Sequence, residues 1–238
     1  MTNIFNLEEY INKEKNKTAF VCGMGPSLKE SLSKIKKEFG IIIACSDVDL
    51  MTELIPDYWV FANSGNSAVN MNVRWKKMKN TTIVHADSVD TTPREWVIEN
   101  VTNNYVGYDQ RHFDNKTCQS CPNGCSNFIK DRLTIQELLK KLSNHSKRYG
   151  TGHTVAVHCL ALSILLGCNE IYISGVDLNY KLGYVDDKTS NGDSFDPWLP
   201  EILEDFQIIN ESAKLLNVKI YNLSDFSPLR NIFETKKL

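Results

Sequence analysis

Residues 22–28, Cys-Gly-Met-Gly-Pro-Ser-Leu, join an apolar run to an amphipathic stretch through two glycines, a proline and a serine. Gly23 and Gly25 allow backbone angles and close approach that a Cβ forbids. Pro26 suits the first turn of a helix, because its φ is already helical and its missing N–H would be unpaired there. The hydroxyl and amide of Ser27, with the amide of Leu28, would then face outward at the positive end of a helix dipole. That chemistry is anion binding, and phosphate is the expected anion. The alternative is a tight strand-to-helix turn with no ligand. Neither G-x-G-x-x-G nor the G-x-x-x-x-G-K-[ST] phosphate loop is matched, since Leu28 stands where the third glycine of the former would be.

The same chemistry recurs at Arg148-Tyr149-Gly150-Thr151-Gly152-His153-Thr154. Gly150 and Gly152 free amides at a helix start, Thr151 or Thr154 can cap, and Arg148 adds a fixed positive charge. Two such junctions converging on one crevice would suit a ligand with two phosphates, or with a phosphate and a carboxylate. His153 on the first turn would meet that ligand. His153 and His158 are not a metal pair, because five residues turn a helix by about 140°. A third junction, Ser174-Gly175-Val176-Asp177, ends an apolar run in a carboxylate. Asp177, with Asp47, would hold Mg²⁺ or an acceptor hydroxyl; the other reading of Asp177 is a turn cap.

His112, Cys118, Cys121 and Cys125 gather four soft ligands in 14 residues. A structural Zn²⁺ site and free reduced thiols are both open readings. Neither makes the cluster catalytic.

These residues need strands and helices to hold them. Apolar runs at 18–23, 40–45, 57–62, 81–86, 103–107, 170–175 and 218–223 read as strands, several without alternation, as strands buried on both faces should be. Helical stretches are expected at 27–38, 66–78, 129–143, 151–166 and 199–216. The alternation predicts one α/β domain over 1–238: a Rossmann-like, doubly wound, mostly parallel sheet with helices on both faces. A turn-rich insertion at about 108–128 and an irregular stretch at 181–197 interrupt it.

Composition excludes several classes. The 238 residues carry a formal net charge of −2, so no broad basic surface for nucleic acid is expected. The apolar run 154–167 is too short for a membrane span, and the polar N-terminus is no secretory signal. Seven Cys, an odd number, fit reduced thiols in the cytoplasm. A homo-oligomer is compatible with all of this.

The blocks VCGMGPSL, IPDYWVFAN, GTGHTVAVHCLALSILLGCNEIYISGVDL and VKIYNLSDFSPL resemble the 6-hydroxymethylpterin diphosphokinase-like (MptE-like) family over about residues 18–230. That resemblance implies a Rossmann-type core and a nucleotide-dependent transferase; the named member passes diphosphate from ATP to a pterin alcohol with Mg²⁺. The same blocks resemble the bacterial sialyltransferases that use CMP-sialic acid, where matching positions hold the nucleotide. Carried over, these are Gly23, Gly25, Pro26, Ser27, Asn63, Thr151 and Gly152, with Tyr180 and Tyr184 toward the leaving phosphate and Gly175 at the G-x-D strand end. That family's histidine base follows the tyrosine loop, and this chain has no histidine beyond His158. Diphosphate or phosphoryl transfer to a small hydroxyl acceptor is therefore the first expectation. Glycosyl transfer from a CMP-sugar to a glycan acceptor is the second, and a non-catalytic nucleotide-binding module the third.

Overall fold

The computed structural model describes residues 7–62, 77–85, 105–107, 154–188 and 199–238. Eight strands form one sheet: β1 (Thr18–Cys22), β2 (Ile41–Cys45), β3 (Tyr58–Phe61), β4 (Thr82–His85), β5 (Tyr105–Gly107), β6 (Glu170–Ser174), β7 (Lys219–Asn222) and β8 (Glu234–Thr235). Their order is β5-β4-β3-β2-β1-β6-β7-β8. Every neighbouring pair is parallel. All carboxyl ends therefore lie along one edge, and the order reverses between β1 and β6, where open α/β sheets place their ligands.

Alternate residues of the strands feed two apolar layers. Ala19, Val21, Ile41, Ile43, Tyr58, Val60, Ile171 and Ile173 pack beneath α3 (Val155–Leu165) and α4 (Leu199–Leu215). Phe20, Cys22, Ile42, Ala44, Trp59, Phe61, Tyr172 and Tyr221 pack on the other face with Leu28 of α1 (Leu28–Leu32) and Val48 of α2 (Val48–Met51). Burial on both faces explains why β2, Ile-Ile-Ile-Ala-Cys, shows no alternation. The doubly wound Rossmann-like α/β fold is as expected, and the sheet is parallel throughout.

Helix α3 sets the orientation of the site. Val157 to Leu165 are all buried, so the helix is covered around its whole circumference and lies in the centre of its layer. Its last carbonyls are satisfied by the segment preceding β1: the amides of Asn12, Glu14 and Asn16 donate to Leu165, Leu166 and Gly167. Gly167 adopts φ +83°, the left-handed conformation that ends a helix. The C-terminus of α3 thus sits where β1 begins, and its N-terminus points to the carboxyl edge.

Four elements differ from expectation. The helix expected over 27–38 is only Leu28–Leu32, because Ser31 is drawn into a hydrogen bond with Ser174 of β6 and the chain then turns toward β2. The helix expected from 151 is described from Val155, with Thr154 as its cap. Strand β8 and helix α2, two and four residues long, are too short to leave a periodic signal. The expected helices at 129–143 and most of 66–78, and the 108–128 insertion, lie outside the described residues.

Candidate functional site

The β1–α1 turn is bound directly to the end of β6. The Gly23 amide donates to the Ser174 carbonyl at 2.7 Å, and the Gly25 amide to the Gly175 carbonyl at 2.8 Å. Ser27 reaches Asp177 twice, its amide donating to Oδ2 at 3.0 Å and its hydroxyl to Oδ1 at 2.6 Å. The Gly175 amide donates in turn to the Ser27 hydroxyl at 3.0 Å. Ser27 and Asp177 are buried, 2% and 3% exposed.

The two glycines are required by this contact. A Cβ on Gly23 would lie 2.3 Å from the Gly175 carbonyl oxygen, and one on Gly25 would lie 2.3 Å from Asp177 Oδ2. Gly175 itself takes φ +71°, a conformation that favours glycine.

This geometry corrects the expectation that the amides of Gly25, Ser27 and Leu28 face a phosphate. Gly25 and Ser27 donate to the β6 end, and Leu28 donates to the Gly25 carbonyl at 3.1 Å. Pro26 precedes the cap instead of opening the helix, and Ser27, at the cap position, makes no side-chain cap bond because its hydroxyl serves Asp177. Of residues 23–29, Met24 at the crest, half-buried, alone has an N–H that donates to no described partner. A helix of five residues adds little dipole.

The loop following β6 folds back over the turn. The Val185 amide donates to the Met24 carbonyl at 2.8 Å, Val185 is buried beside Met24 and Leu28, and Lys29 pairs with Asp187. Asp186 bonds Lys188 at 2.6 Å, which lowers its carboxyl from the usual range. Tyr180 opens a short 3-10 turn, Tyr180–Leu182, and Tyr184 follows in the same loop.

On the opposite face, α3 starts beside the carboxyl end of β2. Thr154 caps it, accepting from the Val157 amide at 3.4 Å, and the Cys45 and Cys159 sulfurs stand 3.3 Å apart. Burial first, then the Cys45 hydrogen bond, pushes the Cys159 thiol well up; burial does the same to Cys22. These thiols are packing groups, not nucleophiles. Asp47 stands at the cap position of α2, two residues past β2.

Asn63, Arg148, Gly150, Thr151, Gly152 and His153, and the cluster His112, Cys118, Cys121 and Cys125, lie outside the described residues. The structure does place Thr154 and the start of α3 at the same edge as the β1–α1 turn. Among the described residues no group of three His, Cys, Asp or Glu is placed to hold a metal ion. Asp177 does not fit a Mg²⁺ ligand, since both oxygens accept from Ser27 and Gly25 closes against Oδ2.

Sequence reasoning missed two features. The Ser27–Asp177 contact joins residues 150 apart, and no local pattern announces it. His85, buried at the end of β4, approaches the Tyr105 hydroxyl at 3.1 Å and stacks on Phe61 at 4.7 Å; its position at the carboxyl edge was readable from its place after an apolar run.

A groove of about 670 Å³ lies at the opposite, amino edge, between Lys17, Lys37, Asp57 and Tyr58. Two of its lysines are paired with carboxylates, Lys17 with Glu14 and Lys37 with Asp57, each at 2.7 Å, and Lys13 lies over the Tyr10 ring.

Comparison with known proteins agrees with this architecture. The family model described as 6-hydroxymethylpterin diphosphokinase MptE-like matches residues 1–183. No curated protein matches the chain significantly. Among solved structures, the sialyltransferase CstII from Campylobacter jejuni in complex with cytidine-5'-monophosphate is similar at 16% identity, over 93% of this chain and 85% of that one, with a TM-score of 0.51. The monofunctional alpha-2,3-sialyltransferase Cst-I from the same organism gives 14%, 92%, 80% and 0.53. A C. jejuni alpha-2,3-sialyltransferase in apo form gives 15%, 98%, 84% and 0.52. At these identities the likeness is one of fold.

Proposed function

The chain belongs to the 6-hydroxymethylpterin diphosphokinase MptE-like family, and from that membership we propose that it transfers a diphosphate or phosphoryl group from a nucleoside triphosphate to a small hydroxyl acceptor. The observation that carries the reading is the family match over residues 1–183, which takes in both the β1–α1 turn and the β6 end. The nucleotide would lie along the carboxyl edge near the β1/β6 reversal. There the Met24 amide would meet one phosphate, and Arg148 with the 150–154 segment another. Most of the protein's work in such a transfer is positioning and neutralisation of charge. Mg²⁺ would assist by neutralising the phosphates; the described residues form no cage for it, and Asp177 is not assigned to it.

A second reading is glycosyl transfer from a CMP-sugar. Two observations favour it: the fold likeness to a sialyltransferase solved with CMP, and the commitment of Asp177 to Ser27, which removes that carboxylate as a metal ligand beside the phosphates. A binding module without turnover would use the same edge.

A thermal-shift panel of ATP, AMP, CTP, CMP and CMP-sialic acid, each with and without Mg²⁺, separates the two transfer readings, and release of mono- or diphosphate from the preferred nucleotide separates either from a binding module. A ligand at a hundred times its dissociation constant stabilises by about 2.7 kcal/mol. The first reading expects the largest shift with ATP and Mg²⁺. A metal-independent preference for cytidine compounds supports the second, and no shift with any compound overturns both.

A further inference from the structure

We infer that Asp177 is a positioning residue that acts through Ser27 to fix the β1–α1 turn, and not a metal ligand; its bearing on nucleotide affinity rests on the function proposed above. The contact has the marks of a clamp. The Ser27 hydroxyl donates a hydrogen bond to Oδ1 and accepts one from the Gly175 amide, so its orientation is set from both sides. The Ser27 amide takes the other carboxylate oxygen. The Gly23 and Gly25 amides add two backbone bonds to the same strand end, and Ser31 meets Ser174 at 2.6 Å. Two strand ends that face each other across the reversal are thereby joined into one unit, carrying the Met24 crest.

The charge makes this arrangement informative. Among the described residues no Lys, Arg or His forms an ion pair with Asp177, and it is almost wholly buried. A buried carboxylate held by neutral donors is costly, and its negative charge behind the phosphate position proposed at Met24 would oppose an anionic ligand. An asparagine would remove that repulsion. It would also replace one accepting oxygen by a donor and so break one of the two bonds to Ser27. The two effects have opposite signs, which separates a positioning role from that of a bystander charge.

The test compares wild type with Asp177→Asn, Ser27→Ala and the double variant. Dissociation constants are measured for CMP and for ATP, with and without Mg²⁺, and amide hydrogen exchange is followed over residues 23–31 without ligand. We expect each single variant to bind about tenfold more weakly, the double variant to be no weaker than the worse single one, and the effect of Mg²⁺ to be unchanged. Exchange should rise over 23–31 while β2 and β3 stay protected. Tighter binding by Asp177→Asn, or loss of a Mg²⁺ effect that wild type shows, would overturn the inference. If Asp177→Asn fails to fold, Ser27→Ala and Ser27→Thr decide it, with threonine expected to restore part of the affinity. If wild type binds neither probe, the transferase reading falls and the exchange result alone decides the clamp.

Discussion

Gly25 shows how closely a single position is determined. Its amide binds β6, and its missing side chain leaves room for the Asp177 carboxylate. Gly25→Ala would place a methyl group 2.3 Å from Oδ2, and the carboxylate it meets is held by two bonds to Ser27. The turn must then move away from β6. We expect a loss of about 1–3 kcal/mol in unfolding free energy, the usual range for overpacking, measured by urea denaturation. An unchanged midpoint would show that the turn accommodates the methyl group and that the glycine serves something else. The glycines and Ser27 stood out in the sequence by type and spacing. Asp177 stood out as well, but as a ligand for Mg²⁺ or an acceptor; its pairing with Ser27 did not, because the two lie 150 residues apart and only the parallel pairing of β1 with β6 brings them together. The same residues therefore read as a free anion seat in the sequence and as a clasp between two strands in the structure.

Elements were legible where periodicity was long. The seven expected strands all appear within a residue or two, because apolar runs bounded by turns leave few alternatives for a doubly wound sheet. Helix α4, with its amphipathic pattern, spans 199–215 against an expected 199–216. Helix α1 was overestimated because its pattern continues to Ile35, which is buried although the helix ends at Leu32; burial set the spacing and tertiary hydrogen bonds set the end. The segment between Tyr10 and Lys17, which closes the C-terminus of α3, carried no signal.

That segment makes a pH prediction. Tyr10 and Cys168 are buried on either side of it, and burial raises each to about 12 from 10.0 and 9.0. Both groups are neutral when protonated, so folding favours the protonated form. The stability they contribute is complete below pH 9 and is lost as pH climbs toward 12. The upper limit of the slope is about 1.4 kcal/mol per pH unit for each group. Cys168→Ala should flatten the fall between pH 9 and 10, where Tyr10 has yet to contribute, in urea midpoints taken at half-unit steps. Equal slopes in the two proteins would contradict a protonated, buried Cys168.

At the scale of the molecule, two edges of one parallel sheet compete for the ligand. The amino edge has the open groove of about 670 Å³, but Lys17 and Lys37 of its lining are paired with carboxylates and Lys13 lies over the Tyr10 ring. The carboxyl edge has the strand-order reversal, the Met24 crest, the loop strapped over it by Val185, and the start of α3 on the opposite face. The nucleotide is expected at the second edge. Backbone amide NMR of the labelled protein, titrated with CMP and separately with ATP and Mg²⁺, reads this directly. The largest shifts are predicted at residues 23–29, 46–48 and 154–156. Shifts confined to residues 13–18, 37–40 and 57–58 would move the site to the amino edge and contradict the account.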